Sequence, residues 1–344
     1  MFEFDAKEKR VTVCLVHGNP ETAAVWNRLA PLLDRGPVVR LSPPGFGAPV
    51  PARFTATVEE YRRWLVAELE RFERPVHLVG HDWGGAHVMN VVMTRPELVR
   101  SWVCDVIGLF DQDYQWHDRV KVWATPGAGE DAVAGLIGPP VSERAAALVD
   151  RGMHEDVALP VAEGQNVAMG DCILRLYRDA VQPTMARLGR NLERAAARPG
   201  LSILAADDHY APDEQRRRAS ARAGAEVAVL DGLGHWWFTQ DPERGAAAIT
   251  ASGQEWDKSD TQTITISNKL SARYQRRRRA VDRCSLATPL RAQYDGNEYE
   301  ATGIEAVRRS RVQSGVVTFL RAAPAIGQSM CEFVTLVLAF DGDF

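Results

Sequence analysis

Gly80-His81-Asp82-Trp83-Gly84-Gly85 sets a carboxylate between glycines at a point where a strand should turn sharply into a helix. The preceding Pro75 to Val79 reads as a short buried strand and Ala86 to Thr94 as a helix, the context that a nucleophile elbow requires. Glycines at 80 and 84 let the backbone strain and lift one side chain, Asp82, above the sheet. A carboxylate there attacks carbon, expels a leaving group and forms an ester that must then be hydrolysed. That chemistry argues against an ordinary serine esterase or lipase. On its own, G-x-D-x-G fits a simple tight turn equally well.

The rest of the chain supplies partners in a usable order. Val11 to Val16 is an apolar strand leading into His17-Gly18-Asn19-Pro20, and the backbone N–H groups of that loop and of Trp83 could stabilise an oxyanion. Leu201 to Ala205 is a later strand followed by Asp207 and Asp208, of which Asp208 is the better candidate acid. Val227 to Leu230 is another, and His235 follows it in Gly234-His235-Trp236-Trp237. Nucleophile, acid, histidine is a workable order for a catalytic triad. Of the remaining histidines, His77 and His87 fall within a strand and a helix and read as structural, and His17 as holding its own loop.

On these motifs, with Ser42-Pro43-Pro44-Gly45-Phe46-Gly47 as a weaker fourth, the chain resembles α/β-hydrolases of the epoxide hydrolase and haloalkane dehalogenase group over roughly residues 11 to 252. The resemblance implies an α/β fold, a mostly parallel sheet flanked by helices with an inserted helical cap. Residues 1–107 and 192–252 would form the core, 108–191 the cap, and 253–344 a tail of unknown fold, read as a small appended domain, a disordered extension or sequence not selected for this fold, and dispensable for the chemistry. It further implies that Asp82 forms an alkyl-enzyme ester and that His235, held by Asp208, activates the water that hydrolyses it. No metal or organic cofactor is needed.

The leaving group separates the two activities. An epoxide opens to an alkoxide and needs a neutral acid, a task that tyrosine meets with a pKa of about 10. In epoxide hydrolases two cap tyrosines serve, one followed by glutamine and one by arginine; Asp113-Tyr114-Gln115 and Leu176-Tyr177-Arg178 resemble those contexts. Each also reads as an ordinary half-buried aromatic. A halide instead needs N–H donors, and Asn19 with Trp83 resembles the halide-binding pair of one dehalogenase subgroup. Epoxide hydrolysis ranks first, dehalogenation second, and a non-catalytic binding domain of the same fold third.

Composition fits an enzyme of this kind. With 344 residues and 45% hydrophobic content the chain can bury a sizeable core. A net charge of −4 gives no footprint for nucleic acid. Five cysteines without paired spacing, among them Cys14 and Cys104 in buried strands, argue against a disulfide framework. No apolar run reaches the ~18 residues of a membrane span, and the charged start, Met1 to Arg10, is no signal peptide. The expectation is therefore a cytoplasmic enzyme acting with water on a small apolar electrophile, whose cavity Trp116, Trp123, Trp236, Trp237 and Phe238 would line. Thr57-Val58-Glu59-Glu60 is a capping box, Arg216 to Arg218 a solvated helix face, and the short stretch ahead of His17 leaves the sheet short of an edge strand. In the tail, Thr263 to Ile266 alternates like a strand, Arg276 to Arg279 is a charge run and Phe333 to Phe340 an apolar one.

Overall fold

The computed structural model describes residues 11–33 and 36–258, and four further strands at 290–294, 297–301, 315–320 and 333–338. The chain divides into two compact units, Met1–Asp257 and Lys258–Phe344.

In the first unit, β1 (Val13–Val16), β2 (Val38–Leu41), β3 (Val76–Gly80), β4 (Val99–Cys104), β5 (Gly200–Ala205) and β6 (Glu226–Leu230) form one parallel sheet in the order β2-β1-β3-β4-β5-β6. The inner strands β1, β3 and β5 are buried throughout, as parallel strands covered on both faces must be. On β1, Cys14 and Val16 enter one apolar cluster while Val13 and Leu15 enter another on the opposite face. The helices are α1 (Val58–Leu69), α2 (Trp83–Thr94), α3 (Asp118–Ala124), α4 (Ala128–Ile137), α5 (Val141–Val149), α6 (Glu155–Gly164), α7 (Val167–Ala180), α8 (Thr184–Gly189), α9 (Asp213–Arg222), α10 (Trp237–Gln240) and α11 (Pro242–Lys258). Tyr61 and Leu65 of α1 and Val88 and Val92 of α2 join the Cys14 cluster; Ala246 and Ile249 of α11 join the other.

Strand order places the chemistry. β2 and β3 follow β1 on opposite sides of it, so the connections leave the carboxyl edge in opposite directions and open a crevice there. Val16 pairs with Gly80, which brings the loops bearing His17 to Asn19 and His81 to Asp82 together; Gly80 pairs with Cys104, which adds Asp105. Ala205 pairs with Leu230, so the loops carrying Asp208 and His235 leave the same edge.

From β4 to β5 the chain is helical, with α3 to α8 filling the interval 108–191 read as a cap. On α7, Asn166 caps the first turn by accepting the Met169 N–H at 3.1 Å, and Met169, Ile173, Leu176, Tyr177 and Ala180 are buried at helical spacing.

Several sequence expectations change. Thr57 caps α1 by accepting the Glu60 N–H at 3.2 Å, but the Glu60 carboxylate pairs with Arg63 at 2.9 Å in place of closing the box. Of the arginines of α9 only Arg217 is the solvated residue expected. Arg216 is buried, donating to the Ala205 carbonyl and to Asp213 at 2.8 Å each, and Arg218 forks onto the buried Asp111. Trp237 and Phe238 pack into the core beside Trp26 and do not line the cleft. Cys14 and Cys104 are buried free thiols as expected. β2, which the motifs did not reveal, closes one side of the described sheet.

In the second unit β7 (Leu290–Tyr294), β8 (Asn297–Ala301), β9 (Gly315–Leu320) and β10 (Phe333–Leu338) form an antiparallel sheet in the order β10-β9-β7-β8. The apolar run from Phe333 thus supplies a strand. The readings of Met1 to Arg10, Thr263 to Ile266 and Arg276 to Arg279 lie outside the described residues. Among those residues no helix is long and apolar enough to cross a membrane.

Candidate active site

The turn between β3 and α2 has the strain that its glycines anticipate. Asp82 has φ 49° and ψ −127°, outside the regions open to an unstrained L-residue. Close contacts leave it no alternative. A Cβ on Gly80 would lie 2.6 Å from the Gly85 Cα, and one on Gly84 2.1 Å from the Val16 carbonyl oxygen. The Asp82 N–H donates to Asp105 Oδ1 at 3.1 Å, which pins the turn to the end of β4.

The carboxylate thus raised meets the loop after β1. The Asn19 N–H donates to Asp82 Oδ1 at 3.0 Å. Trp83 opens α2, and a helix leaves the N–H of its first residue without an intrahelical partner. Burial, partly offset by the charges of His235 and His81, raises the Asp82 pKa. His235 Nε2 stands 3.8 Å from Asp82 Oδ2, beyond direct hydrogen-bond length, while His235 Nδ1 is 2.8 Å from Asp208 Oδ2. Asp208 Oδ1 accepts the Tyr210 N–H at 3.1 Å, so both oxygens are held. Burial opposes charge on both groups, yet the pairing prevails: Asp208 falls to about 2 and His235 rises above its ordinary value.

Tyr114 follows a turn that Asp111 organises, accepting the Asp113 N–H at 3.0 Å and gripped by Arg218 from α9. Tyr177 arrives from α7, its ring edge-on to Trp83 with centroids 5.4 Å apart, and its hydroxyl lies 3.4 Å from Asn19 Oδ1. Both tyrosines are 4% exposed, and burial followed by the Asp82 charge raises both pKa values, so both hydroxyls stay protonated at neutral pH. The Asn19 side-chain nitrogen is buried without a partner. Asn19, Asp82, Trp83, Tyr114, Tyr177, Asp208 and His235, all seven residues singled out in the sequence, line one cleft that opens to solvent at its mouth.

A buried polar network behind the elbow escaped the sequence reading. His81 lies between two carboxylates, Nδ1 2.6 Å from Asp105 Oδ2 and Nε2 3.1 Å from Glu21 Oε1. Trp237 donates its indole N–H to Asp105 at 2.8 Å, Trp236 donates to Glu21, and the Gly18 N–H reaches Glu21 Oε2 at 3.1 Å. Against the burial of its ring, these carboxylates raise the His81 pKa well above the ordinary value; burial would raise Glu21 in turn, but the charge and hydrogen bond of His81 outweigh it and bring Glu21 down to about 2. Glu21, His81 and His235 bring potential ligand atoms within 4.8 Å of one another, but both His81 nitrogens are already hydrogen-bonded, so the trio is a proton-bearing network. Glu21 directly after His17 to Pro20 and Asp105 at the end of a buried strand were the available signals. Tyr210 was also missed; its ring packs on His235 with centroids 4.8 Å apart.

Residues 15–248 match the alpha/beta hydrolase family along a stretch that contains all seven of the residues singled out in the sequence. The chain belongs to that family. This hydrolase is 29% identical over 133 residues to a haloalkane dehalogenase of Mesorhizobium japonicum, a match covering 36% of the chain and 42% of the dehalogenase, less than half of that relative's length. It is 25% identical over 254 residues to lipase LipV of Mycobacterium tuberculosis, across 69% of the chain and 91% of the lipase. In three dimensions the hydrolase resembles E-2-(acetamidomethylene)succinate hydrolase, with TM-score 0.58, 18% identity and coverage of 71% and 91% of the two chains. That likeness concerns the fold.

Proposed function

We propose that this hydrolase opens epoxides to vicinal diols through an ester on Asp82. The observation that carries the reading is that two buried, protonated tyrosines from separate cap segments line the same cleft as a carboxylate on a strained elbow. An Asp82 oxygen attacks a ring carbon, the C–O bond of the ring breaks, and Tyr114 or Tyr177 gives the emerging alkoxide its proton. His235, oriented by Asp208, then takes a proton from water, which adds to the ester carbonyl. The Asn19 N–H, already on Oδ1, and the Trp83 N–H would hold the resulting oxyanion, each worth about 3–4 kcal/mol. The acyl C–O bond breaks, the leaving alkoxide takes the second proton of the added water to complete the diol and restore the Asp82 carboxylate, and the proton held by His235 returns by way of solvent to the tyrosinate. The Tyr177 hydroxyl lies against Asn19 Oδ1 and its ring stands edge-on to Trp83, so Tyr177 adjoins both residues that would otherwise share a halide.

Dehalogenation is the second reading, favoured by the unpartnered Asn19 Nδ2 and by the dehalogenase match. Turnover of an aryl epoxide and a bromoalkane by wild type, Tyr114→Phe, Tyr177→Phe and Asn19→Ala separates them. Epoxide hydrolysis requires diol formation that falls about 10²- to 10⁴-fold in the tyrosine variants. Bromide release that depends on Asn19 and is indifferent to the tyrosines would replace it with dehalogenation. Absence of any Asp82 ester in His235→Gln, with either substrate, would reduce the chain to a binding domain.

A further inference from the structure

The cleft is not apolar throughout. Arg119, on the second residue of α3, and Arg151, in the turn between α5 and α6, both line it. Neither takes part in an ion pair among the described residues. Arg151 spends its Nε–H on the Ala147 carbonyl at 2.9 Å, and the Arg119 guanidinium lies 5.9 Å from the centroid of the Trp123 ring, another wall of the cleft. In the same cap Arg178 Nη2 donates to both oxygens of Glu130, so carboxylate partners occur in this region for arginines not committed to the cleft.

Tyr210 ties the two arginines to the reacting groups. Its ring touches His235 on one side and, with centroids 4.9 Å apart, His117 on the other, two residues before Arg119. After burial, the groups that bear on its hydroxyl are Arg119 and Arg151, which favour ionisation, and Asp82 and Asp208, which oppose it. The guanidinium groups also feel each other, since burial and the Arg119 charge lower the Arg151 pKa. Two unpaired cations on the lining of one cleft, Arg119 exposed and Arg151 half-buried, repel less once an anion joins them. A neutral epoxide gains nothing from that arrangement. An anionic one would be repelled by Asp82, Asp105 and Asp208 without it.

We propose that Arg119 and Arg151 form an anion seat and that the epoxide consumed carries a carboxylate, placed so that its ring carbon reaches Asp82 while its charge lies between the two guanidinium groups. This rests on the reading of Asp82 as an epoxide-opening nucleophile. The carboxylate takes no part in bond making: it positions the substrate by charge-assisted, fork-shaped hydrogen bonds and steers it into a cleft whose floor is negative.

The test is a matched pair, 4-(oxiran-2-yl)benzoate and its methyl ester, with wild type, Arg119→Gln, Arg151→Gln and the double variant. The seat requires wild type to prefer the carboxylate in kcat/KM. Each substitution should reduce the carboxylate-to-ester ratio about ten- to a hundredfold through KM, the range for losing a hydrogen bond to a charged group, and added salt should erode the ratio in wild type alone. A wild-type ratio near one, or a ratio that the variants do not change, overturns the seat while leaving the epoxide reading in place. If neither epoxide turns over, that reading fails and calorimetric titration with benzoate decides the seat: binding to wild type that the double variant loses supports it, and no binding overturns it.

Discussion

Gly18→Ala tests whether close packing of the loop after β1 holds the nucleophile in place. An alanine Cβ at this position would lie 2.2 Å from Oδ1, 2.7 Å from Cγ and 2.4 Å from Cβ of Asp82. Rotation about χ1 could carry the oxygen clear, but it leaves the Asp82 Cβ where the strained backbone and the 3.1 Å bond to Asp105 put it. Non-bonded carbons settle at about 3.5 Å or more, so elbow and loop must separate by roughly 1 Å. A displacement of that size at a reacting group lowers the rate about 10²-fold. The Asn19 N–H, on the next residue, moves away with the loop, and losing one such donor lowers it by about a further 10²-fold. The expected fall in kcat/KM is therefore at least about 10²-fold, or roughly 2.7 kcal/mol of transition-state stabilisation, beside a stability loss of about 1–3 kcal/mol from overpacking. Single-turnover quench with mass spectrometry of the ester reads the alkylation step, and thermal unfolding reads the stability. A folded Gly18→Ala protein that alkylates within about threefold of the wild-type rate would refute the reasoning, because the carboxylate would then tolerate a displacement that the proposed attack cannot.

Asp208→Asn should move the acid limb of the kcat/KM profile to lower pH, since burial that lowers the His235 pKa would no longer be outweighed by the Asp208 charge, while the rate itself falls about 10⁴-fold through loss of the correct tautomer. In wild type the same pair ties stability to pH: the part from Asp208, whose folded pKa is about 2, is complete above its ordinary value of 3.8 and lost as pH falls through 2; the part from His235 is complete below 6.5 and lost as pH rises through its raised value. Glu21→Ala should cost about 3–5 kcal/mol in urea unfolding, because the Gly18 N–H, the charged His81 and the Trp236 indole would lose one buried acceptor together; a loss below 1 kcal/mol would mean that the network carries no net charge.

Nearest-neighbour chemistry made much of this protein legible in one dimension. The apolar runs that became β1, β3, β4 and β5 announce themselves because a strand covered on both faces has no polar alternation to hide it, and the largely exposed edge strand β6 showed only through its apolar run Val227 to Leu230. The elbow is legible because only glycine tolerates the contacts around Asp82. Half-exposed β2, whose pattern resembles a loop, was not recovered, and Arg216 and Arg218 read as solvated because sequence cannot show that Asp213 and Asp111 wait for them. What only the tertiary structure decided is convergence across long separations. Glu21, His81 and Asp105 meet because β1, β3 and β4 lie side by side with their carboxyl ends level. Arg119, Arg151 and Tyr210 reach the same cleft from three separate segments. Charge and burial at those positions follow from how helices pack over a sheet edge, a property of no single stretch of chain; the residue types that can do chemistry are local, and the field in which they do it is not.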